Sequence, residues 1–342
     1  MEAKKNNLYK GERLEESLRE YFLSSGYYVI RGVKFKYDDI DVTDIDLWLY
    51  KRVSPADRNR GNVDIKNKKT PQAIERIFWA KGIMDVLRLD HCIVATTDRR
   101  DSILKFGLQQ NVTILDGNFI SKLTERNDYC RLTEEGFYHI LNSEKGDTYK
   151  NSWKYIYENS KSRLLNELDF SGCNATLNDI RFFVEKIISD QNSRSVALRM
   201  LYITLSHFLI ILDYISKDLA YVENTRRLER LLDGFKFGNL GRKGVQQFLD
   251  MAIYLTGNSQ QPQSSINSFF EDQQVTIMAE FFSQNENINI LFKSAHFFES
   301  AAFSEELMQI EKMDTSLKSI IGVILDYFNI ERKKFFSSFN VN

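Results

Sequence analysis

This sequence is poor in the residues that most readily announce a function. Its three cysteines, Cys92, Cys130 and Cys173, lie far apart with no CxxC pair, which argues against a disulfide framework and a zinc site. The four histidines are equally scattered, and none stands at metal-ligand spacing from another. An excess of one charge is missing too. The 46 Lys and Arg stand against 47 Asp and Glu, for a net charge of −1, so nothing global marks a nucleic-acid binder. The most apolar run, Met200 to Ile215, is shorter than a bilayer span, contains His207 and Asp213, and is interrupted upstream by Arg199. It reads as a buried helix. The opening MEAKKNN has no apolar segment of the signal-peptide kind. A cytoplasmic protein without membrane association is expected.

What is present is enough apolar material for real cores, 43% of 342 residues, in one large domain or two ordinary ones. Residues 1–126 carry 23 Lys and Arg against 19 Asp and Glu, and the remainder 23 against 28. The pattern changes near the same place. Glu12 to Leu23 has Leu14, Leu18, Tyr21 and Phe22 at helical spacing, with Gly26 closing the helix. A strand over Tyr27 to Lys36 follows, then the acidic turn Asp38, Asp39 and Asp41. After two further strands within 43–69 come a helix over Thr70 to Leu89, a buried strand over Cys92 to Thr97, a helix over Ile103 to Leu108 and a strand over Val112 to Leu115. That order, αβββαβαβ, predicts a mixed sheet flanked by helices.

The chain is organised around residues 43–52, TDIDLWLYKR, and residues 62–69, NVDIKNKK. Side chains alternate along a strand, so Ile45, Leu47 and Leu49 share one face while Asp44, Asp46 and Trp48 share the other. In the second strand Val63 and Ile65 face one way, Asp64 and Lys66 the other. Ser54-Pro55 and the polar run Asp57 to Asn62 separate the two as a hairpin loop would. Pairing them brings Asp46, Asp64 and Lys66 together. Asp44 shares the parity of Asp46, but Asp46 lies deeper in the strand and is preferred. Two carboxylates suit Mg²⁺ or Mn²⁺, hard cations held by one or two acids plus waters and substrate phosphate oxygens. A lysine two residues beyond an aspartate can orient the attacking water or offset charge in the transition state. Seven basic residues, among them Lys51, Arg52, Arg58, Lys68 and Lys69, crowd Lys51 to Lys69 against two acids. A phosphate backbone passing the site would meet them.

These residues carry a resemblance. Asp46, then Asp64-Ile65-Lys66, followed by a helix and an apolar strand, resembles the PD-(D/E)XK nuclease superfamily. Gly11, Leu14-Glu15, Leu18, Gly26-Tyr27 and Val29 are similar to the N-terminal helix of Mrr-like restriction endonucleases. The resemblance covers roughly the first third of the chain. Two departures stand out: Ile45 takes the place of the usual proline before Asp46, and Asp64 replaces the commoner glutamate. The resemblance implies a restriction-endonuclease-like fold and Mg²⁺-dependent cleavage of DNA in restriction or anti-phage defence. Asp46 and Asp64 would hold the metal, with Lys66 catalytic. It implies a supporting role for Glu15 near the metal and makes Gln72 a candidate beside the lysine. Glu75 and Arg76 also come early on that helix. The other reading is a catalytically idle nuclease-fold subunit that binds nucleic acid or acts as a scaffold.

From about Asn118 strand alternation stops, and a series of helices running to Phe328 predicts an all-α second domain. The expected division is 1–126 and 127–342. The series includes a helix over Glu305 to Met313, and Gly257 to Ser265 is the best internal loop. The glycines from Gly234 to Gly244 read as an interhelical loop. Phenylalanine pairs at 269–270, 281–282, 297–298 and 335–336 are candidate surface for self-association or for a partner subunit of a defence system.

Overall fold

The computed structural model describes residues 9–38, 40–67, 72–124, 131–142, 144, 152–256 and 273–339. Helix α1 (Lys10–Ser24) leads into strands β1 (Tyr28–Tyr37), β2 (Ile40–Arg52) and β3 (Arg58–Lys66). Helix α2 (Ala73–Val86), β4 (His91–Thr96), α3 (Asp101–Gln109), β5 (Thr113–Leu115) and α4 (Gly117–Thr124) follow. The strands lie in sequence order. The first three are antiparallel neighbours, and β4 and β5 run parallel to β3 through helical crossovers. The expected mixed sheet with flanking helices is present, in the expected order.

Each face of the sheet has its own core. On one face Leu14, Leu18 and Phe22 of α1, spaced four apart, pack with Leu47, Leu49, Val63, Ile65 and Ile120 of α4. On the other, Ala73, Ile77 and Ala80 of α2 pack with Cys92, Val94 and Ile103. Glu12 accepts from the Tyr9 amide and fixes the first turn of α1. Gly26, at φ +81°, turns the chain out of it.

Several expectations require correction. The polar run from Asp57 is not a loop, because β3 starts at Arg58 and pairs with β2 up to Arg52↔Arg58. Its polar side chains find partners outside the strand, as when Asn62 donates to the Ala80 carbonyl of α2 and Arg60 to the Arg88 carbonyl, so polarity does not disqualify the strand. Ile74 and Phe78 of α2, although apolar, are exposed. The buried stripe of α2 is Ala73, Ile77, Ala80 and Ile83. The helix expected over 305–313 reduces to one 3₁₀ turn, Ile310–Lys312.

The chain divides into two compact units, Met1–Asn166 with Phe303–Glu305, and Glu167–Ala302 with Glu306–Asn342. The expected boundary at 126/127 therefore falls inside the first unit. Helices α5 (Glu134–Leu141) and α6 (Trp153–Asn166) belong with the sheet. Helix α6 covers the open edge of β1. Lys161 Nζ donates to the Arg31 and Gly32 carbonyls, Ser162 Oγ to Lys34 and Asn166 Nδ2 to Lys36. An edge strand left bare would offer those carbonyls to another chain.

A buried ionic cluster ties the same helices together. Arg31 pairs with Glu15, Glu16 and Glu135, while Arg19 and Lys161 pair with Glu134. Tyr157 also donates to Glu134. Burial pushes the Glu134 carboxyl up, but the charges of Lys161 and Arg19 outweigh it and hold it below the usual glutamate range.

The second unit is helical. It contains α7 (Phe170–Ser189), α8 (Arg194–Ser216), α9 (Asn224–Phe237), α10 (Gly241–Thr256), α11 (Gln273–Ser283), most of α12 (Asn285–Phe303), α13 (Thr315–Tyr327) and α14 (Arg332–Ser337). Helix α8 is its centre, with Leu198, Leu201, Leu205, Phe208, Ile211 and Leu212 all buried. It is long and apolar enough to cross a membrane, but 89% of that stretch is buried inside the protein. Gly257 to Ser265 and the 269–270 phenylalanines lie outside the described residues. In the other pairs Phe282, Phe298 and Phe335 are core. Among the described residues, Phe248, Met251, Tyr254 and Leu255 form a run of exposed apolar side chains on α10, while Tyr221, Leu240 and Ile277 are exposed elsewhere in this unit.

Candidate active site

The site forms where β2 and β3 part. Their pairing runs from Arg52↔Arg58 to Leu47↔Val63 and stops. Beyond that point β2 stays with β1 (Ile45↔Val33), and β3 stays with β4 (Asp64↔Val94, Lys66↔Thr96). The notch exposes a main-chain donor, which a buried strand cannot leave unpaired. Asp46 fills it: its Oδ2 accepts from the Ile65 amide at 2.6 Å. The Asp46 carboxylate is thereby fixed against the backbone between Asp64 and Lys66. Asp44, the competing candidate, is exposed.

Gly32 of β1 lies across from Asp46, between the pairs Arg31↔Leu47 and Val33↔Ile45. Its φ of +60° is a left-handed conformation that favours glycine.

Asp64 is buried and doubly bonded. Arg76, in the first turn of α2, donates Nε to Oδ2 at 2.7 Å and pairs through Nη2 with Oδ1. The Arg76 guanidinium also lies 5.6 Å from the Trp79 ring. Burial raises the Asp46 pKa, against the Ile65 amide and the charges of Lys66 and Arg76, which lower it. Burial likewise raises Glu15. Arg31 opposes that shift, and the negative charge of Asp46 adds to it. Glu15 therefore stands near enough to Asp46 to feel its charge, reaching in from α1 on the opposite face, with its own carboxylate held by Arg31 at 2.8 Å.

The structure thus places Asp46, Asp64 and Lys66 about the notch, with Glu15 on α1 bonded to Arg31. It separates Lys51, Arg52 and Arg58 from them. Lys51 and Arg52 lie at the far end of the hairpin, four and five residues beyond the last pair at the notch, about 14–17 Å at the usual rise. Lys51 is bonded to the Ser25 carbonyl and sits over Tyr27. Arg58 is buried, its guanidinium turned into its own loop onto the Ser54, Pro55 and Asp57 carbonyls, so it is not available to a phosphate backbone. Lys68 and Lys69 lie outside the described residues, as does Pro71. Gln72 is exposed and donates to Glu75 at 3.5 Å.

Hard oxygen donors of the kind Mg²⁺ or Mn²⁺ takes are present in Asp46, Asp64 and Glu15. The donor set fits in kind. As folded, however, Asp64 gives both oxygens to Arg76, and among the described residues no three His, Cys, Asp or Glu side chains converge to hold a metal. Arg76 and Gly32 are the site residues that sequence reasoning gave no role. For Arg76 a signal existed in a cation one helical turn into the element that follows DxK. For Gly32 nothing marked it before the register was known.

Comparison with protein-family models, with curated proteins and with solved structures finds no match to this chain.

Proposed function

We propose that the first unit is a restriction-endonuclease-like domain and that the chain is a metal-dependent endonuclease cutting DNA phosphodiesters, in restriction or anti-phage defence. The observation that carries the reading is the notch between β2 and β3, with Asp46 and Lys66 on its two sides and Asp64 beside them. Asp46 and Asp64 would hold the Mg²⁺ or Mn²⁺, with Glu15 beside them. When bound, such a metal would lower the pKa of a water to near neutrality and polarise the phosphorus centre. Lys66 orients the attacking water or meets the charge that develops on the phosphate. Arg31 positions Glu15, and the Ile65 amide positions Asp46.

DNA would approach over the rim of the notch, where Arg76 and Trp79 are partly exposed. Cleavage of both strands asks for two active sites, so a second copy or a partner subunit is part of the proposal. The apolar side chains exposed on α10 replace the paired phenylalanines as the surface proposed for assembly. The test is plasmid cleavage with Mg²⁺ or Mn²⁺ beside an Asp64→Ala control. Cleavage by the parent chain and none by the variant is the expected outcome, and equal activity in both would remove the assignment.

A second reading has its own observation. Arg76 closes Asp64, an arrangement suited to a nuclease-fold subunit that binds nucleic acid or serves as a scaffold without cutting. Metal-independent DNA binding by a protein that never cleaves would favour it.

A further inference from the structure

Asp64 has both of its oxygens taken by one side chain. Its partner sits differently from it: the Asp64 side chain is 7% exposed and that of Arg76 is 23%. Arg76 therefore reaches from the rim of the notch down to a buried acid. A carboxylate removed from water needs a cation close by, and here the protein supplies its own. Arg76 also has a second partner close by while it holds Asp64. The Trp79 ring, one turn along the same helix and 46% exposed, lies 5.6 Å from the guanidinium. A guanidinium is attracted to an aromatic face, and its planar fork suits a phosphate as well as a carboxylate. Moving between these partners takes side-chain rotation only, since Arg76 is anchored in the first turn of α2.

We infer that Arg76 is a displaceable counter-ion: it closes Asp64 in the metal-free protein, a divalent cation at Asp64 must displace it, and the freed guanidinium swings along α2 toward Trp79, where a substrate phosphate can meet it. The inference rests on the metal-dependent reading of the site. Cation and arginine compete for the same two oxygens, so the coupling between them is negative and reciprocal. A structural ion pair that stays in place would instead let the metal use other oxygens and would not compete through its geometry.

The experiment is calorimetric titration of the full chain with Mn²⁺, for the parent, Arg76→Lys, Arg76→Gln and the double variant Arg76→Gln/Asp64→Asn, each checked for fold by circular dichroism. Arg76→Gln should bind Mn²⁺ about tenfold or more tightly, within the range usual for coupled sites. Arg76→Lys keeps the charge but loses the fork, so it should also bind more tightly, by a smaller factor. A mere nearby charge would leave Arg76→Lys at parent affinity. The double variant should lose the gain. The inference is overturned if neither single variant exceeds the parent, if only Arg76→Gln does, or if no form binds Mn²⁺. Should Arg76→Gln fail to fold, Arg76→Lys decides alone. Cleavage measured on the same proteins separates the two ideas. Tighter Mn²⁺ binding with no cleavage by any form supports the counter-ion and removes the nuclease. Mn²⁺-dependent cleavage with unchanged affinity in both single variants does the reverse.

Discussion

The sheet unit and the helical unit bury their polar groups by different means. In the sheet unit, charges meet charges: Arg19, Arg31 and Lys161 against Glu16 and Glu134, all nearly without solvent contact. In the helical unit, hydroxyls and arginines meet main-chain carbonyls. Thr204 donates to Met200, Ser206 to Ala295, Tyr202 to Met308 and Arg227 to Ser283. A neutral bond to a carbonyl contributes about 1 kcal/mol net and can be lost singly. A charge cluster cannot, because deleting one member leaves its partners buried and uncompensated. The two units should therefore answer the same kind of substitution very differently.

The largest expected effect tests that directly. Glu134→Ala strands Arg19 and Lys161 and should destabilise the sheet unit by about 3–5 kcal/mol. Ser206→Ala in the helical unit should cost about 1 kcal/mol. Hydrogen exchange read separately at the β2 and α8 amides resolves the units, and equal losses would abolish the distinction. The pH dependence follows from the same residue. The Glu134 pKa is lowered in the fold, so its contribution is complete above the 4.5 of an unfolded glutamate and is lost as pH falls through the lower folded value. Acid should loosen the strands before it loosens α8.

Within the sheet unit, Lys66 lies at the notch and outside the ionic cluster. Lys66→Ala should slow cleavage by about 10²–10³, the usual loss for one transition-state contact, with little change in stability. Single-turnover cleavage and thermal unfolding on one preparation check both halves. A rate equal to the parent's would withdraw the catalytic role. Further down in size, Ile211→Val in α8 should cost about 0.5–1.5 kcal/mol, the transfer and cavity terms of one methylene. A much larger loss would mean that the helical core is as unforgiving as the charged one.

How much of this the sequence disclosed depended on the range of the interaction. Strands with period-two patterning were readable, since Leu47 and Leu49 of β2 face one core with Val63 and Ile65 of β3. That Asp46 lies deeper than Asp44 was readable from its place in the strand. The acid–base partners were not. Arg31 and Glu135 are 104 positions apart, Lys161 and Glu134 27, and nothing in either local pattern marks a charge for burial. The missing boundary has the same cause, because α5 and α6 look like any amphipathic helices until the acids of α5 and Lys161 of α6 are seen meeting Arg19, Arg31 and the edge of β1. The basic residues from Lys51 to Arg60 misled for a related reason. The hairpin holds these residues side by side at its far end, away from Asp46 and Asp64, and Arg58 spends its charge on its own loop.

The smallest expected effect concerns Asp46, where the site and the stability of its unit pull in opposite directions. Burial raises its pKa above the 3.8 of an unfolded aspartate, and the Ile65 amide, Lys66 and Arg76 recover only part of the difference. A carboxyl whose folded pKa is raised favours the fold while protonated. Its ionisation costs stability as pH climbs from 3.8 through the higher folded value, after which the cost stays constant. Asp46→Asn keeps a carbonyl oxygen for the Ile65 amide and never ionises. The variant should match the parent below pH 3.8, melt higher above the folded pKa, and keep a constant lead up to neutrality. The lead should be no more than a few degrees, since about 1 kcal/mol moves the midpoint by about 2–4 °C in a unit of this size. Mn²⁺ should reverse the order, because a cation stabilises the ionised parent and finds one ligand fewer in the variant. Melting curves across pH, with and without Mn²⁺, measure both. A variant that melts lower at neutral pH without metal would show that Asp46 is already compensated by its neighbours and holds no unspent charge for a cation.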